Sequence, residues 1–472
     1  MQNEVYEMKT VVIIGGGITG LSAAYSLHKW KKNSEANVRL ILVEAEEALG
    51  GKIRTRTDHD FIMETGADSI VTRKLQELDW FEELDLKDDV VYNATGQSFI
   101  YVDGQLGAIP ADSIFGIPAT IESLAKSSLV SDAGKVEALK DFYLQDHTFS
   151  KNDSIGDFLR YYLGDEMVEK QISPVLSGVY SGKLEDLSIS ATLPYLLEYK
   201  EKYGSIMKGL EMNREKFKSN GDKKFLSFEN GLGTLIDAMA RALDNVEIFT
   251  SYQANQINRA GMRYRISFTN HEEVEADYII AAIPASASQA LFSETTIEQE
   301  FHSFKTSSLI SVYMGYDLPD ALLPEEGTGF ITANNEELSC NACTWTSRKW
   351  LHTSLQGNLL VRLFYKSSHP SFATLKTLSE EELLKVAQED IRKSLQITAA
   401  PVTFDITKWM ENMPTYQIDH QQAVEEVEQV LATTYPGVKL AGCSYFGVGI
   451  PDCMNNGIET ATYLIEQLEA EI

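Results

Sequence analysis

The chain has 472 residues, of which 43% are hydrophobic and 23% charged, and these are the proportions of a packed globular protein. With 69 acidic and 41 basic residues it carries a net charge of −28, which repels polyanions, so we expect no nucleic-acid partner. Four cysteines are too few to staple a chain of this length, and they favour a reducing, cytoplasmic environment.

The first predicted elements are a strand, a glycine-rich turn and a helix. Thr10–Ile14 is a β-branched run typical of a strand buried on both faces, and Gly15–Gly20 (GGGITG) follows it directly. In this pattern Gly15 permits a tight turn, Gly17 lets a pyrophosphate approach the backbone, and Gly20 lets helix and strand pack closely. The unpaired N–H groups at the start of the helix would bind the phosphate.

A second strand completes the unit. Val38–Val43 is apolar and leads to Glu44, which stands roughly 20 residues after Gly20, where an acid accepts hydrogen bonds from a ribose. Strand, glycines, helix, strand and acid in this order predict a Rossmann-like dinucleotide-binding domain. The alternative is a glycine-rich turn in another kind of α/β protein.

Two segments further on favour FAD over NAD. Gly50-Gly51-Lys52 comes shortly after Glu44, and a second glycine pair at this place resembles the extended signature of FAD-dependent amine oxidases and their relatives. Phe61–Ser69 then has the form in which these flavoproteins pass a backbone of small residues close to the flavin. An ordinary loop at the two glycines is the alternative.

Later stretches predict that the chain returns to the same domain. Tyr435–Gly442 reads as a turn and a short strand, and the glycine-rich Gly447–Met454 leads into an amphipathic helix through Ile472. Such a turn presents backbone N–H groups and the positive end of a helix, which suits the electron-rich side of a reduced flavin. In mid-chain, Phe228–Leu235 opens another helix. We therefore predict a discontinuous FAD-binding domain made of residues 1–90, 222–290 and 435–472.

Residues 112–221 have a different character. Apolar residues recur at helical spacing in Ile155–Leu163, and Gly134–Leu144 and Met167–Leu176 show the same rhythm, with Pro174 limiting one element. These patterns predict a helical insertion. Two readings stay open for it: a small lobe that covers the active site, or an apolar face that makes a weak peripheral contact with a membrane.

Alternating runs predict a third part of the molecule. Leu309–Met314 and Leu359–Tyr365 read as strands of a mixed sheet. We assign residues 91–111 and 291–434 to this substrate-binding domain. The predicted fold class is α/β in the cofactor domain and α+β over the whole chain.

The cysteine patterns predict no metal site. Cys340-Asn-Ala-Cys343 has zinc or redox spacing, but it lies in an apparent strand and no second motif of its kind accompanies it. Cys443 and Cys453 flank the C-terminal glycine turn and read as small buried residues. No motif for a protein nucleophile is present, so the catalytic residues stay unassigned, as expected where a cofactor does the chemistry.

The chain resembles the FAD-dependent protoporphyrinogen/coproporphyrinogen oxidase family, most closely its soluble Gram-positive branch that acts on coproporphyrinogen III. The segments that carry the resemblance are Val12–Leu21, Val43–Ala45, Gly50–Ile53, Asp68–Ser69, Asn93–Ser98, Leu176–Gly182, Ala342–Thr346, Trp409–Tyr416 and Gly447–Cys453. It implies an oxygen-dependent, six-electron oxidation of coproporphyrinogen III to coproporphyrin III in heme biosynthesis. The implied cofactor is FAD, the implied by-product is H2O2, and the implied partners are other enzymes of the heme pathway. Alternatives are protoporphyrinogen IX oxidation, a flavin amine oxidase or desaturase, and a non-catalytic flavin-binding protein.

The resemblance also implies which residues bind the ligands. The implied FAD-binding residues are Gly15, Gly16, Gly17, Ile18, Thr19, Gly20, Glu44, Ala45, Gly51, Lys52, Gly66, Ala67, Asp68, Ser69, Ala254, Trp409, Gly449, Ile450 and Pro451. The four propionates of coproporphyrinogen call for cations. Arg73 and Lys74 are the substrate candidates, and Lys74 matches a basic position of the Gram-positive group; an exposed, solvated pair is the alternative. The departure from that group at Thr65–Ala67 leaves the local loop shape open.

Overall fold

The computed structural model describes most of the chain. The described residues are 8–75, 79–94, 96–144, 149–180, 183–190, 192–217, 223–269, 271–292, 299–324, 326–333, 337–417 and 419–471. Parts of two family segments, Thr95 and Ser181-Gly182, lie outside these residues, as does Ile472 at the predicted end of the last helix.

Among the described residues, the strands lie on both sides of residues 109–224 and not within them. They are β1 (Lys9–Ile14), β2 (Val38–Val43), β3 (Thr55–Asp58), β4 (Phe61–Glu64), β5 (Ile70–Val71), β6 (Val90–Tyr92), β7 (Gln97–Val102), β8 (Gln105–Ala108), β9 (Phe225–Phe228), β10 (Glu247–Phe249), β11 (Ala254–Ala260), β12 (Arg263–Phe268), β13 (His271–Ala276), β14 (Tyr278–Ala281), β15 (Lys305–Pro319), β16 (Gly327–Thr332), β17 (Ala342–Trp345), β18 (Asn358–Lys366), β19 (Thr403–Thr415) and β20 (Val438–Leu440).

Seven of the α-helices of the described residues lie between residues 121 and 212. In chain order, the α-helices are α1 (Ile18–Ser34), α2 (Asp79–Glu83), α3 (Ile121–Lys126), α4 (Asp132–Ala138), α5 (Ile155–Leu163), α6 (Asp165–Met167), α7 (Ser173–Tyr180), α8 (Pro194–Tyr203), α9 (Ile206–Met212), α10 (Gly233–Ala242), α11 (Ala285–Ala290), α12 (Thr346–Lys349), α13 (Phe372–Leu375), α14 (Glu380–Leu395), α15 (His420–Thr434) and α16 (Ile450–Glu471).

A five-stranded parallel sheet in the order β10-β2-β1-β14-β20 positions the N-terminal glycine turn. Its register sets Ile14 opposite both Val43 and Ala281, so β1, β2 and β14 end at the same edge. Gly15 and Glu44 follow their strands there. Because parallel sheets of this kind bind ligands beyond the carboxyl ends of their strands, this edge is where a site is expected. The predicted Rossmann-like α/β fold is confirmed.

Both faces of the parallel sheet are buried, which explains the continuous apolar runs of its strands. Val11 and Ile13 of β1 pack with residues of α1, α10 and α16 on one face. Val12 and Ile14 pack on the other face, with residues of β11, β12 and α15. The C-terminal helix α16 therefore stands beside α1, although the two are distant in sequence.

A seven-stranded mixed sheet forms a second layer, in the order β19-β15-β18-β17-β16-β7-β8. β7 and β16 pair in parallel, and the other neighbours are antiparallel. Leu383, Ala387 and Ile391 of α14 pack into the core on this sheet. The mixed sheet agrees with the predicted fold class, whereas the three domain boundaries stay a prediction.

Helices α3 to α9 surround a separate apolar core that includes Phe158 and Tyr162. Helix α5 begins after Ser154, whose Oγ accepts a 3.2 Å hydrogen bond from the Asp157 amide. The predicted helix over residues 134–144 is shorter, because α4 ends at Ala138 and a 3-10 turn follows. Residues 165–180 form one uninterrupted helical stretch, in which a π-helical turn over 168–172 directly precedes Ser173 and Pro174; Pro174 therefore coincides with a change of helix type and does not end the helical stretch.

A buried carboxylate fixes two of these helices to a turn. Asp141 is fully buried and accepts hydrogen bonds from Ser205 Oγ (2.6 Å) and from the amides of Ile206 (2.8 Å) and Met207 (2.9 Å). Lys200 Nζ lies 3.3 Å from the same carboxylate. These contacts satisfy the first N–H groups of α9, as an N-terminal cap does. Within the described residues, no helix is long and apolar enough to cross a membrane.

Candidate cofactor site

A cavity of about 570 Å³ lies at the carboxyl edge of the parallel sheet. Its wall comes from five stretches of the chain that are separate in sequence: residues 14–67, the segment after β10, the segment after β14, part of β19, and residues 441–453. The predicted residues that line it are Gly15, Gly17, Ile18, Thr19, Glu44, Ala45, Gly51, Lys52, Gly66, Ala67, Ala254, Trp409 and Ile450. The sequence analysis missed Arg54, Tyr252, Pro284, Asn412, Gly442 and Val448, which share the lining.

The glycine turn has the geometry that a phosphate-binding turn needs. Gly15 has φ +106°, a conformation that L-residues with side chains rarely adopt, and its amide donates to Val43 O at 2.8 Å. A Cβ on Gly20 would lie 1.9 Å from Gly15 O, so Gly20 permits the close contact of α1 with the turn. A Cβ on Gly17 would meet no atom within 4 Å. Gly17 lines the cavity and is the residue before α1, so the free space lies at the positive end of a helix.

The Glu44 carboxylate is held in place by backbone amides. Its Oε2 accepts a 2.7 Å hydrogen bond from the Gly16 amide, and its Oε1 accepts a 2.9 Å hydrogen bond from the Glu46 amide. Gly16 therefore orients the acid although it does not itself line the cavity. Each carboxylate oxygen keeps a further lone pair, which leaves Glu44 able to accept from a ribose hydroxyl.

The segment from Thr65 to Ala67 is clamped from two sides. The Ala67 amide donates to Lys52 O at 2.8 Å, and a Cβ on Gly66 would lie 1.9 Å from that same oxygen. From the mixed sheet, Trp409 Nε1 donates to Thr65 O at 3.1 Å. The open question of the loop's shape is thereby answered: its backbone is bonded to both layers and faces the cavity.

Arg362 of β18 completes this clamp. Its buried guanidinium donates to Gly66 O at 2.9 Å and to Ser311 Oγ at 3.0 Å, and it lies over the rings of Tyr313 and Phe364. The sequence analysis missed Arg362. The available signal was a charged residue inside an otherwise apolar strand run, because such a charge is buried only when it has partners.

Asp68 and Ser69 do not line the cavity but stand beside it. Asp68 Oδ2 lies 3.1 Å from Lys349 Nζ, and Ser69 Oγ donates to Asp68 Oδ1 at 2.8 Å. Burial acts to raise the pKa of Asp68, but the cations of Lys349 and Arg362 outweigh it and hold that pKa at about 2. Asp68 is therefore an anion at neutral pH, whose partners lie on the mixed-sheet side.

The C-terminal turn lines the cavity through Val448, Ile450 and Cys453, whereas Gly449 and Pro451 are not among the lining residues. The Gly449 amide donates to Asp452 Oδ2 at 3.3 Å at the start of α16. Lys74 Nζ lies 2.9 Å from the same oxygen, so the structure joins the predicted substrate residue to the C-terminal turn. Arg73 is exposed, and neither basic residue lines this cavity.

Two cysteines that were predicted as small buried residues line the cavity, and the burial is confirmed for one of them. Cys453 is buried in the first turn of α16, but Cys443 is only half-buried in the loop after β20. Lys52 Nζ contacts Cys443 Sγ at 3.4 Å. The predicted strand around the other pair holds for Cys343 in β17, whereas Cys340 precedes that strand. Among the described residues, no three potential ligand side chains come together as a metal site.

Comparison with known proteins gives the chain its family. The family described as flavin containing amine oxidoreductase matches residues 18–465. The chain belongs to this family. It is 33% identical to coproporphyrinogen III oxidase of Bacillus subtilis, over 95% of this chain and 96% of that protein, and 29% identical to the Staphylococcus aureus protein of the same name, over 98% and 100%.

A solved structure gives the same result. The chain matches one from Exiguobacterium sp. that is described, provisionally, as a protoporphyrinogen oxidase, with a TM-score of 0.86 and 32% identity over 98% of this chain and 100% of that one. The predicted family and the predicted cofactor, FAD, are confirmed. The chain is a flavin-dependent oxidoreductase.

The residues present fit FAD. The free space at Gly17 offers room for a pyrophosphate at the start of α1, and Glu44 is oriented for a ribose. The same cavity is also lined by Lys52, Gly66 and Trp409. The individual residue assignments stay a prediction, which the experiments below test.

Proposed function

We propose that this protein oxidises coproporphyrinogen III to coproporphyrin III. The observation that supports it most is the 33% identity, over nearly the whole of both chains, to a protein named coproporphyrinogen III oxidase. The reaction removes six hydrogen atoms, as six electrons and six protons, and three O2 molecules accept them to give three H2O2. Bound FAD supplies a two-electron acceptor in each of three cycles.

The chain's own residues hold the cofactor and shape its surroundings. We propose that Gly17 and the first turn of α1 bind the pyrophosphate and that Glu44 binds the ribose. The bonds from Trp409 and Arg362 keep the Thr65–Ala67 backbone against the cavity. Because these side chains are buried, they fix that wall with little freedom, which favours a pre-organised site.

For the substrate, we propose that Lys74 recognises a propionate. Its side chain is about half exposed and forms an ion pair with Asp452, so it is accessible to a carboxylate. Arg73, next in sequence and exposed, is the second candidate. Coproporphyrinogen has four propionates and protoporphyrinogen two, so basic residues here would favour the former.

Anaerobic reduction of the bound flavin tests the activity. The holoprotein is mixed in a stopped-flow instrument with coproporphyrinogen III, protoporphyrinogen IX or an amine, and flavin bleaching is followed. We expect fast bleaching by coproporphyrinogen III, slower bleaching by protoporphyrinogen IX and none by the amine. Equal rates for the two porphyrinogens would remove the substrate preference. Bleaching by the amine alone would replace the proposal with an amine oxidase.

Oxygen consumption tests the stoichiometry. We expect three O2 consumed and three H2O2 formed for each coproporphyrin III. A bound yellow cofactor without turnover of any porphyrinogen would favour a non-catalytic flavin protein.

The cysteines and the exposed apolar residues bear on where in the cell the protein is located. We propose a reducing, cytoplasmic environment because all four cysteines are free thiols. The helical part exposes Ile121, Val136 and Tyr143, which we propose as a weak peripheral contact with a membrane. Co-sedimentation with lipid vesicles tests that contact, and a protein that stays in the supernatant at low salt would contradict it.

A further inference from the structure

The mixed sheet carries a row of side chains that ends at the cofactor cavity. Leu309 of β15 is paired with Lys366 of β18 on one side and with Trp409 of β19 on the other. Side chains of directly paired residues share a face of the sheet, so Lys366 and Trp409 stand on the same face. Arg362, four residues before Lys366 on β18, shares that face and donates to Gly66 O in the cavity wall. Because Trp409 lines the cavity, Lys366 stands two strands, roughly 10 Å, from a residue of the cofactor site.

The two faces of this part of the sheet are packed differently. On β18, Leu363 and Tyr365 are buried in the core under α14, whereas Phe364 and Lys366 are half-buried on the opposite face. β15 shows the same alternation, and its Leu309 is half-buried on the face of Lys366. Among the described residues, neither Phe364 nor Leu309 belongs to any of the apolar cores. The face that adjoins the cavity is therefore apolar and has no apolar layer of the described chain packed on it.

Lys366, the last residue of β18, adds a single charge to this face. Among the described residues, no hydrogen-bond acceptor or carboxylate is bonded to its ammonium. Arg362 differs, because Gly66 O and Ser311 Oγ accept hydrogen bonds from its guanidinium. Partial burial without an opposite charge lowers the pKa of Lys366. A carboxylate bound at this ammonium would offset the cost of that burial.

We propose that Lys366 binds a propionate of the porphyrinogen, whose tetrapyrrole lies on the apolar face formed by Leu309 and Phe364. An apolar macrocycle with carboxylates at its edge is complementary to an apolar face with a cation at its end. The inference rests on the proposed function, because it assigns a residue to that substrate. It adds a cation from the mixed sheet to Lys74, which lies beside the C-terminal turn. Two separate cations favour a substrate with four carboxylates over one with two.

Binding of coproporphyrin III, the stable product of the proposed reaction, tests this role without turnover. The holoprotein is titrated with coproporphyrin III, and the change of porphyrin fluorescence gives the dissociation constant. We expect Lys366→Met, which keeps the length of the side chain and removes its charge, to raise this constant about tenfold. Lys366→Arg keeps the charge and should raise it much less. An unchanged dissociation constant in Lys366→Met, or equal losses in both variants, would overturn the proposal.

Lys385→Met is the matched control. Lys385 is exposed on α14, which covers the other face of the same sheet, so its loss changes the net charge equally but should leave coproporphyrin III binding unchanged. A loss as large as that of Lys366→Met would show an effect of net charge and would contradict a contact at Lys366.

The tetramethyl ester of coproporphyrin III separates charge recognition from packing. The ester has no carboxylate, so wild type and Lys366→Met should bind it equally in the same detergent. A loss for the ester as large as for the acid would overturn the proposed ion pair. The FAD dissociation constant of Lys366→Met should equal that of wild type, because Lys366 does not line the cofactor cavity. A rise of that constant would show that the residue acts on the cofactor wall instead.

These measurements keep the inference apart from the proposed function. Coproporphyrin III binding that weakens tenfold in Lys366→Met, in a protein that oxidises no porphyrinogen, would keep the carboxylate site and remove the oxidase proposal. Oxidation of coproporphyrinogen III by Lys366→Met with the wild-type KM would keep the oxidase proposal and remove the role of Lys366.

Discussion

The buried guanidinium of Arg362 donates a 2.9 Å hydrogen bond to the carbonyl oxygen of Gly66, across the boundary between the mixed sheet and the cofactor cavity. Arg362→Met removes this bond and the one to Ser311, and leaves buried oxygens without a donor. We expect a loss of about 2 kcal/mol or more in the free energy of unfolding, together with weaker FAD binding. Denaturant unfolding and a flavin fluorescence titration measure the two effects.

Arg39→Met is the matched control for this change. Arg39 pairs with Glu247 at 2.7 Å on the surface, where about 40% of each side chain is exposed. A pair of that kind contributes at most about 1 kcal/mol. Similar losses in the two variants would show that the Arg362 clamp contributes no more than an ordinary surface pair.

Alanine substitutions at two glycines of one turn are expected to have different effects. Gly17→Ala puts a methyl group into open space at the cavity, so the apoprotein should unfold at the wild-type denaturant concentration while its FAD dissociation constant rises at least tenfold. Gly20→Ala puts a methyl group 1.9 Å from Gly15 O, which forces the backbone apart and should destabilise the apoprotein itself by about 1–3 kcal/mol. Unfolding of both apoproteins and FAD titration separate these outcomes. An apoprotein of Gly17→Ala as unstable as Gly20→Ala would refute the phosphate role.

The parallel-sheet unit could be predicted from sequence because local and global signals agree there. The β-branched run, the glycine turn and the acid after the second strand all lie within residues 10–44, so one short stretch of sequence contains the whole pattern. The register that brings Ile14 level with Val43 follows from the parallel topology. Helix ends were harder. Residues 139–142 form a 3-10 turn whose Asp141 accepts a hydrogen bond from the Ile206 amide, a contact with a distant segment that local spacing does not reveal.

Contacts between distant segments were the part of the site that sequence could not supply. Lys74 could be proposed from its place after the flavin-lining segment, but its partner Asp452 stands far along the chain. Cys443 and Cys453 were interpreted as small buried residues because apolar burial is the common state of a free cysteine. Only the fold shows that Lys52 stands beside one of them.

Substitutions of the two partners of the Lys74–Asp452 ion pair are expected to change KM in opposite directions. Lys74→Ala removes a cation that we propose binds a propionate, so KM for coproporphyrinogen III should rise about tenfold and KM for protoporphyrinogen IX less. Asp452→Asn frees the ammonium from its partner and should lower KM for the tetracarboxylate. Steady-state kinetics at saturating FAD measure both. Arg73→Ala tests the second candidate and should raise KM for coproporphyrinogen III less than Lys74→Ala does.

The same pair should matter little for folding. Because Lys74 is about half exposed, its loss should change the free energy of unfolding by less than about 1 kcal/mol. Equal changes of KM for the two porphyrinogens, or a fall of activity that follows a fall of stability, would count against a role in substrate recognition.

We expect the free energy of unfolding to depend on pH through the titration of Glu64. Burial raises its pKa to about 7, although the Leu232 amide (2.7 Å) and the Thr55 hydroxyl (2.9 Å) donate to the carboxylate and act to lower that pKa. The folded protein thus holds the proton more tightly than the unfolded chain, whose Glu has a pKa near 4.5. The stabilisation from the protonated form is complete below pH 4.5 and is lost as the pH rises through 7. Its size is about 3 kcal/mol.

Glu64→Gln removes this titration. Gln is neutral at every pH, so the free energy of unfolding of the variant, relative to wild type, should improve by about 2–3 kcal/mol between pH 5 and pH 8. Urea unfolding of the apoprotein at several pH values measures the difference. Glu35→Gln, at an exposed position at the end of α1, is the surface control for this substitution. Parallel curves for Glu64→Gln and wild type would mean that Glu64 is already ionised at pH 5, and that its hydrogen bonds from Leu232 and Thr55 outweigh its burial.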